Sequence, residues 1–562
     1  MGLQSVKGLL KFGAFFKVFI SLHKSIDIIT QKTILIMKHS SPFKWFLLTV
    51  LLSALPLTAT AYDFMVDDLA YNVNSDGESV SVTYATVSSG NYSGLTDADI
   101  PSSVTYYGTT YSVTSIGAFA FKDCSSLTNV SIPSSVCSIG YGAFANCNLL
   151  TSVIIGDSVT SIGGLAFKNC GLLFSVTIPN SVISIGESVF SGCSGLESVV
   201  VESDNVVYDS RNNCNAIIET ETNTLITGCK NTTIPNSVAS IGNNAFMGSC
   251  NLTSVTIPNS VSTIGDLAFE ACRSLHEVTI PNSVTSIGFA AFRYCDSLTN
   301  VTIGNSVTSI GENAFMGCIL LPSITIPKSV ASIGKAVFAN CCELEFIEVE
   351  RGNNNYDSRN SCNAIIETAT NKLISGCKNT TIPNSVTTIG DEAFRYILTL
   401  TSVTIPNSVT SIGFAAFEWC HLTNLTIPNS VISIGRFAFN MCSSLTRIDS
   451  YPNPLDVNLE TNVFDGVPKS TCELHVLPQY FDAYSEADQW KDFLNIIDDI
   501  EEPVSAGDVN GDGKVNVSDV SALINMILGI TPMDQTAGDV NGDGRVNVSD
   551  VSALINIILG IH

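Results

Sequence analysis

The pair Ile-Gly recurs at a fixed spacing, and that period limits the folds open to this chain more than any other feature. It stands at Ile116, Ile139, Ile162 and Ile185, in steps of 23 residues. It resumes with the same step at Ile241, Ile264, Ile287, Ile310 and Ile333, and returns at Ile389, Ile412 and Ile434. A period of roughly 20–50 residues marks a stacked array in which each unit is one supersecondary element. A typical unit runs from Leu275 to Cys295, LHEVTIPNSVTSIGFAAFRYC. Val278 and Ile280 alternate with Thr279, the spacing of a short strand with Thr279 outward. Pro281-Asn282-Ser283 is a turn signal. Val284, Ile287 and Phe292 return to the interior before Cys295 closes the coil. One unit cannot bury its own apolar face, but stacked units share a continuous core. The expected fold is mainly β with short helical turns, a solenoid of 23-residue repeats.

Composition agrees. Of 562 residues 14% are charged and 45% hydrophobic, with mean hydropathy +0.31. A solenoid gives that balance by burying apolar ladders and exposing Ser, Thr and Asn. The net charge of −25 argues against a nucleic-acid partner, whose phosphates would repel it.

The strand, Ile-Pro turn, Ile-Gly and Ala-Phe…Cys elements of these units resemble the BspA-like leucine-rich-repeat family over about residues 100–450. The resemblance implies a surface-exposed protein used for adhesion or for recognising host or matrix molecules. It brings no common catalytic residues.

Two intervals of 56 residues, Ile185 to Ile241 and Ile333 to Ile389, break the period. Each is one unit plus 33 residues, and the inserts are near copies at an offset of 148. Tyr208-Asp209-Ser210-Arg211-Asn212 corresponds to Tyr356-Asp357-Ser358-Arg359-Asn360. Each insert, near 202–233 and 349–381, reads as a β-hairpin projecting from the solenoid, either as part of a binding face or as a structural bulge.

Most of the 18 cysteines lie in a repeat register. Cys124, Cys147, Cys170, Cys193, Cys272, Cys295, Cys318, Cys341, Cys420 and Cys442 each follow a ladder Phe by three residues, and Ile397 takes that slot once. Such a slot wants an apolar side chain, so these are read as buried thiols with parallel Cβ directions that disfavour bridging. Cys214 and Cys229 are symmetric about the Glu221–Thr222 turn, as are Cys362 and Cys377 about Ala369–Thr370. Two cross-strand disulfides, Cys214–Cys229 and Cys362–Cys377, are the expectation there, with reduced buried pairs as the alternative.

The C-terminus repeats one 24-residue segment: Gly507 to Ile530, GDVNGDGKVNVSDVSALINMILGI, and Gly538 to Ile561. Each fits an EF-hand loop, with side-chain oxygens at positions 1, 3, 5, 9 and 12 and Gly at 6. The first has Asp508, Asn510, Asp512, Asn516 and Asp519, with Gly513 at the turn; the second has Asp539, Asn541, Asp543, Asn547 and Asp550, with Gly544. Lys514 and Arg545 hold position 7, where only a backbone carbonyl is needed. An all-oxygen set selects a hard cation, and two calcium ions are expected. Position 12 is Asp rather than Glu, and only an exiting helix is foreseen, Val520 to Leu528 and Val551 to Leu559. This tandem resembles the type I dockerin, which implies a cohesin-type partner contacted at loop positions 10 and 11, here Val517, Ser518, Val548 and Ser549. Valine at position 10 departs from the hydroxyl residues common in that family, which puts cohesin specificity in question.

Residues 1–61 read as a targeting region. Trp45 to Leu57 is a 13-residue apolar core after Lys38 and Lys44, and Ala59-Thr60-Ala61 suits cleavage. Translation from Met37 with a signal peptide over 37–61 is expected; an uncleaved anchor using Leu9 to Ile20 as well is the rival. The remaining layout is an N-terminal β cap at 62–115, the solenoid at 116–448, a C-terminal cap at 449–500, a linker at 501–506 and the dockerin at 507–562. Within the cap, Tyr480 to Ile497 is rich in helix formers. His276, His421 and His475 are scattered, no G-x-S-x-G elbow occurs, and the chain is read as a non-enzyme. The outward ladder Thr177, Thr256, Thr279, Thr302, Thr325, Thr404 and Thr426 is expected on a concave face. The leading functional reading is a secreted or cell-surface recognition protein tethered through its dockerin, with a host, matrix or glycan ligand on the solenoid. The alternative is an accessory subunit of a polysaccharide-degrading, cellulosome-like complex.

Overall fold

A computed structural model describes residues 62–85, 92, 94–501, 507–511, 514–533, 535–542 and 544–559. The signal-peptide and start-site expectations lie outside the described residues. No helix among those described is long and apolar enough to cross a membrane.

The chain coils as the period requires, and each coil presents three lines of contact to the next. On one side the two-residue strands Ser138–Ile139, Ser161–Ile162 and Ser184–Ile185 pair in parallel, residue for residue. The same ladder runs from Ser240–Ile241 to Ser332–Ile333 and from Thr388–Ile389 to Ser433–Ile434. A second side carries short strands centred on the Val-Thr segment, such as Glu277–Thr279 beside Asn300–Thr302. The longer sheets, three of seven or eight strands, therefore form at Ser-Ile, a segment the alternation pattern treats only as a return to the interior; the Val-Thr strands form ladders of two to four strands. On the third side Phe121, Phe144, Phe167 and Phe190 stack with centroids 5.1–5.5 Å apart. Phe246 to Phe338 and Phe394 to Phe464 stack likewise.

Before the first coil, Phe64–Val66, Leu69–Val73 and Ser79–Thr83 pair antiparallel, and Ser79–Thr83 joins Thr109–Ile116 in parallel. These strands start the Ser-Ile sheet itself. At the other end, Glu473–Val476 and Asn495–Ile497 continue the Val-Thr ladder from Arg447–Ser450. The helix-forming composition of 480–497 yields only α1 (Phe481–Glu486) and brief turns, because the array captures its last residues as a strand.

The inserts do not project. Strand Ala216–Glu219 pairs with Thr224–Gly228, and Leu225 then pairs with Ile241, so the hairpin occupies a rung of the solenoid. Ala364–Glu367 and Lys372–Gly376 repeat this before Ile389. Both faces are buried, against different cores. Ile217 and Cys229 pack with the block that ends at Val201, whereas Cys214, Ala216, Ile218 and Leu225 pack with the following one. In the second copy Ile365 and Cys377 face back, and Cys362, Ala364, Ile366 and Leu373 face forward. Each hairpin is a septum between two hydrophobic cores.

That placement also overturns the disulfide expectation. Cys214, Cys229, Cys362 and Cys377 are free thiols. Ala216 registers with Gly228, so Cys214 and Cys229 are one residue out of register and point to opposite faces. Cys214 Sγ donates to the Ala216 carbonyl, while Cys229 Sγ lies 3.3 Å from the Glu197 carbonyl in the preceding coil. Symmetry about the turn failed as a guide because the pairing shifts at Ile217/Ile218.

In the dockerin, α2 (Val517–Ile527), α3 (Gln535–Gly538) and α4 (Val548–Leu559) follow in order. Leu523, Met526, Ala537 and Leu554 form its small interior.

Candidate calcium loops and solenoid surfaces

The first loop is built around its last ligand position. Asp519 is fully buried, and its carboxylate accepts from the Asn510 N–H at 3.1 Å and the Asn516 N–H at 2.8 Å. Asp508 is buried in the same loop. The Asn516 side chain in turn accepts from the Ser518 N–H, which makes Asn516 the N-cap and Asp519 the N3 partner of a capping box. Loop positions 9 and 12 therefore also start the helix, which is why α2 and α4 begin three residues before the expected Val520 and Val551. The N-x-x-D spacing of Asn516 to Asp519 and of Asn547 to Asp550 is the sequence signal for that start.

The second loop has the same geometry. Asp550 is fully buried and accepts from the Asn541 N–H at 3.1 Å and the Asn547 N–H at 2.8 Å. Asp539 accepts from the Gly544 N–H at 2.8 Å. Gly544 has φ +81°, a left-handed turn that a side chain would strain. The two halves interlock: Gly507 lies against Leu554, and Gly538 against Met526. Asp512, Gly513 and Asp543 lie outside the described residues.

Buried carboxylates are costly unless hydrogen bonds or a counter-charge compensate them. Each loop buries Asp519 or Asp550, and the side chains at its ligand positions are Asp and Asn, which offer oxygen to a metal, so the residues fit a hard divalent cation. Of the family's contact positions, Val517 and Val548 are each 70% exposed. Ser518 and Ser549 are exposed too, but both hydroxyls donate to Asn516 or Asn547 and accept from Asn510 or Asn541.

On the solenoid, all seven residues of the threonine ladder are exposed. Thr256, Thr279, Thr302 and Thr325 line a shallow groove of about 920 Å³ with Asn259, Asn282 and Asn305 along its rim. Its charged side chains are Glu277 and Glu350. The ladder cysteines sit in the interior, and from Cys147 onward each thiol reaches back to the phenylalanine carbonyl of the previous ladder position. Cys147 to Phe121 is 3.1 Å, Cys295 to Phe269 3.2 Å and Cys420 to Phe394 3.0 Å. This inter-coil bond explains why cysteine recurs where another apolar residue would fill the space. Cys250 is displaced by one position and half-buried. His475 is buried and held by Asp499 at 2.6 Å and Glu473 at 3.3 Å, a paired residue at the end of the array.

The fold and these loops define a leucine-rich-repeat solenoid with an appended dockerin. The family model of the BspA type leucine rich repeat region matches residues 101–217, 218–345 and 365–475, and the chain belongs to that family. The Dockerin type I domain matches residues 506–559. Among solved structures, the chain is similar to a leucine-rich repeat protein from Bacteroides ovatus at 27% identity, covering 77% of this chain and 98% of that one, with TM-score 0.38. A leucine rich cell surface protein from Faecalibacterium prausnitzii is 23% identical over 78% of this chain and 98% of that one, TM-score 0.36. The pneumococcal vaccine antigen PcpA is 16% identical over 71% and 96%, TM-score 0.38. No curated protein matches the sequence. Repeat arrays and dockerins of these families are typically non-catalytic, and dockerins of this type bind calcium and dock onto cohesins.

Proposed function

We propose that this chain is a secreted or cell-surface recognition protein whose solenoid carries the ligand-binding surface and whose dockerin tethers it to a cohesin-type partner. The observation that carries the reading is the pair of loops closed on buried Asp519 and Asp550. In this reading Asp508, Asn510, Asp512, the Lys514 carbonyl, Asn516 and Asp519 hold one ion; Asp539, Asn541, Asp543, the Arg545 carbonyl, Asn547 and Asp550 hold a second. Bound calcium supplies the positive charge that these carboxylates lack. The chain's own part is to fix helices α2 and α4 through the loop carboxylates, presenting Val517 and Val548 outward. The solenoid's role is binding without turnover: its buried thiols face the interior, its histidines are dispersed, and its groove is lined by Thr and Asn. Pull-down from the source cell's envelope fraction tests the tether. A cohesin-bearing partner should be captured in calcium and lost in EDTA; capture that ignores EDTA would refute it.

A further inference from the structure

One side-chain cluster outside the loops and the threonine face departs from the pattern of the repeat. The second residue after most ladder phenylalanines has a left-handed backbone, with φ between 56° and 63° at Asp123, Asn146, Asn169, Ala271 and Asn340. Gly192, Gly248 and Gly317 fill the same slot. Asn, Asp and Gly tolerate that conformation, whereas a bulky side chain is strained in it. Two successive coils nevertheless place Tyr396 at φ 60° and Trp419 at φ 62° there. Their ring planes lie within 28° of one another and their centroids are 6.3 Å apart, which makes one aromatic strip across two coils. Trp419 is 40% exposed, and Met441 extends the strip into the next coil at the same slot.

The rim of the strip is polar. The Arg395 guanidinium sits 4.8 Å from the Tyr396 ring centre and pairs with Glu418 at 2.6 Å and Glu392 at 2.8 Å. Its charge is thus met by two carboxylates, both largely buried beside it. Tyr294 supplies a comparison within the molecule. It follows Arg293 at the same slot, but the next coil offers Gly317, over which the tyrosine ring lies, so a second ring is missing. Strain of this kind persists where the surrounding fold imposes it, and it concentrates at functional positions.

We infer that the Tyr396–Trp419 strip is a carbohydrate-contact site for a neutral pyranose. A sugar ring has an apolar face of C–H bonds and a circumference of hydroxyls. The strip has the complementary division: the exposed Trp419 ring offers the apolar surface, Tyr396 stacks with it and carries the Arg395 guanidinium over its own ring, and Glu392 and Glu418 hold that guanidinium. Two carboxylates against one guanidinium disfavour an acidic sugar. The inference rests on the solenoid being the recognition element and gives that element a ligand class; it does not involve the calcium loops.

Trp419 is the exposed tryptophan of the described residues, since Trp490 is 1% accessible. Full-length protein titrated with neutral gluco-, xylo- and manno-oligosaccharides should show saturable protection of Trp419 from acrylamide quenching by at least one of them. Calorimetry with that sugar should give at least tenfold weaker binding for Trp419→Asn and for Tyr396→Ala. Asn is native to this slot in other coils, so Trp419→Asn should keep the array folded and raise its melting temperature by about 1–2 °C as strain is relieved. Sugar binding should be unchanged in EDTA, which separates this site from the tether: loss of partner capture with sugar binding intact would count against the dockerin reading alone. Absence of protection by every oligosaccharide of the set, or undiminished binding by Trp419→Asn, would overturn the inference.

Discussion

Glycine is required in the Ile-Gly step because the backbones of neighbouring coils meet there. A Cβ on Gly288 would lie 2.5 Å from the Gly265 carbonyl carbon, and one on Gly311 would lie 2.5 Å from Gly288. The close approach shortens the rung and lets Ile287 pair with Ile264. Gly288→Ala should therefore cost about 1–3 kcal/mol, the ordinary range for overpacking, read as a lower urea midpoint. The ladder thiols make a second prediction. Burial pushes the Cys295 and Cys318 thiols well above their usual range and the Cys442 thiol up to about 12. A thiol whose folded pKa is raised contributes full stability below the unfolded value, near 8.5, and loses it as pH rises beyond that. Each such cysteine should weaken the array by about 1.4 kcal/mol per pH unit above roughly 8.5, seen as a urea midpoint that falls between pH 8 and pH 10. A midpoint flat across that interval would show that the thiols are not held neutral in the fold. The repeat register made the burial of these cysteines legible in sequence; their bonds to the phenylalanine carbonyls were not, because those depend on the offset between neighbouring coils.

The hairpins show where periodicity stops being informative. Composition identified two strands and a turn, yet gave no measure of how many faces they bury. Strand Ala216–Glu219 has three apolar residues in succession, Ala216-Ile217-Ile218, and Thr224–Gly228 has two, Leu225-Ile226; adjacent apolar residues in a strand point to opposite faces, which marks an element buried on both. The glycine that ends each hairpin is equally specific: a Cβ on Gly228 would sit 2.1 Å from the Phe246 ring, and one on Gly376 2.1 Å from Phe394. Each hairpin thus closes onto the first phenylalanine of the next block. Because Ile365 faces back and Ile366 forward, truncating them should loosen different parts of the solenoid. Ile365→Ala and Ile366→Ala should each cost about 2–5 kcal/mol. Hydrogen exchange should accelerate mainly in residues 234–349 for the first and mainly in 382–493 for the second. Identical exchange patterns for the two variants would mean that the septum does not divide the cores.

At the scale of the whole molecule, two kinds of stability sit on one chain. The solenoid is held by stacked apolar ladders that run from Val80 to Phe493 without need of an ion. The dockerin has a small interior of Leu523, Met526, Ala537 and Leu554, and it buries carboxylates beside it. A segment of that size has little apolar area to offset chain entropy, and buried Asp519 and Asp550 oppose folding unless a cation neutralises them. Binding should therefore be coupled to folding of residues 507–559 while the array is indifferent. Calorimetry of the full chain should show a calcium-dependent transition that moves upward with ion concentration, by about 2.7 kcal/mol of added stability per site at a hundredfold excess over Kd. The solenoid transition should stay in place. Asp508→Ala combined with Asp539→Ala should remove the calcium-dependent transition and cohesin docking together, leaving the solenoid's melting unchanged. A dockerin transition that survives EDTA at the same temperature would show that the loops fold without the ion and would remove calcium from the account of the tether.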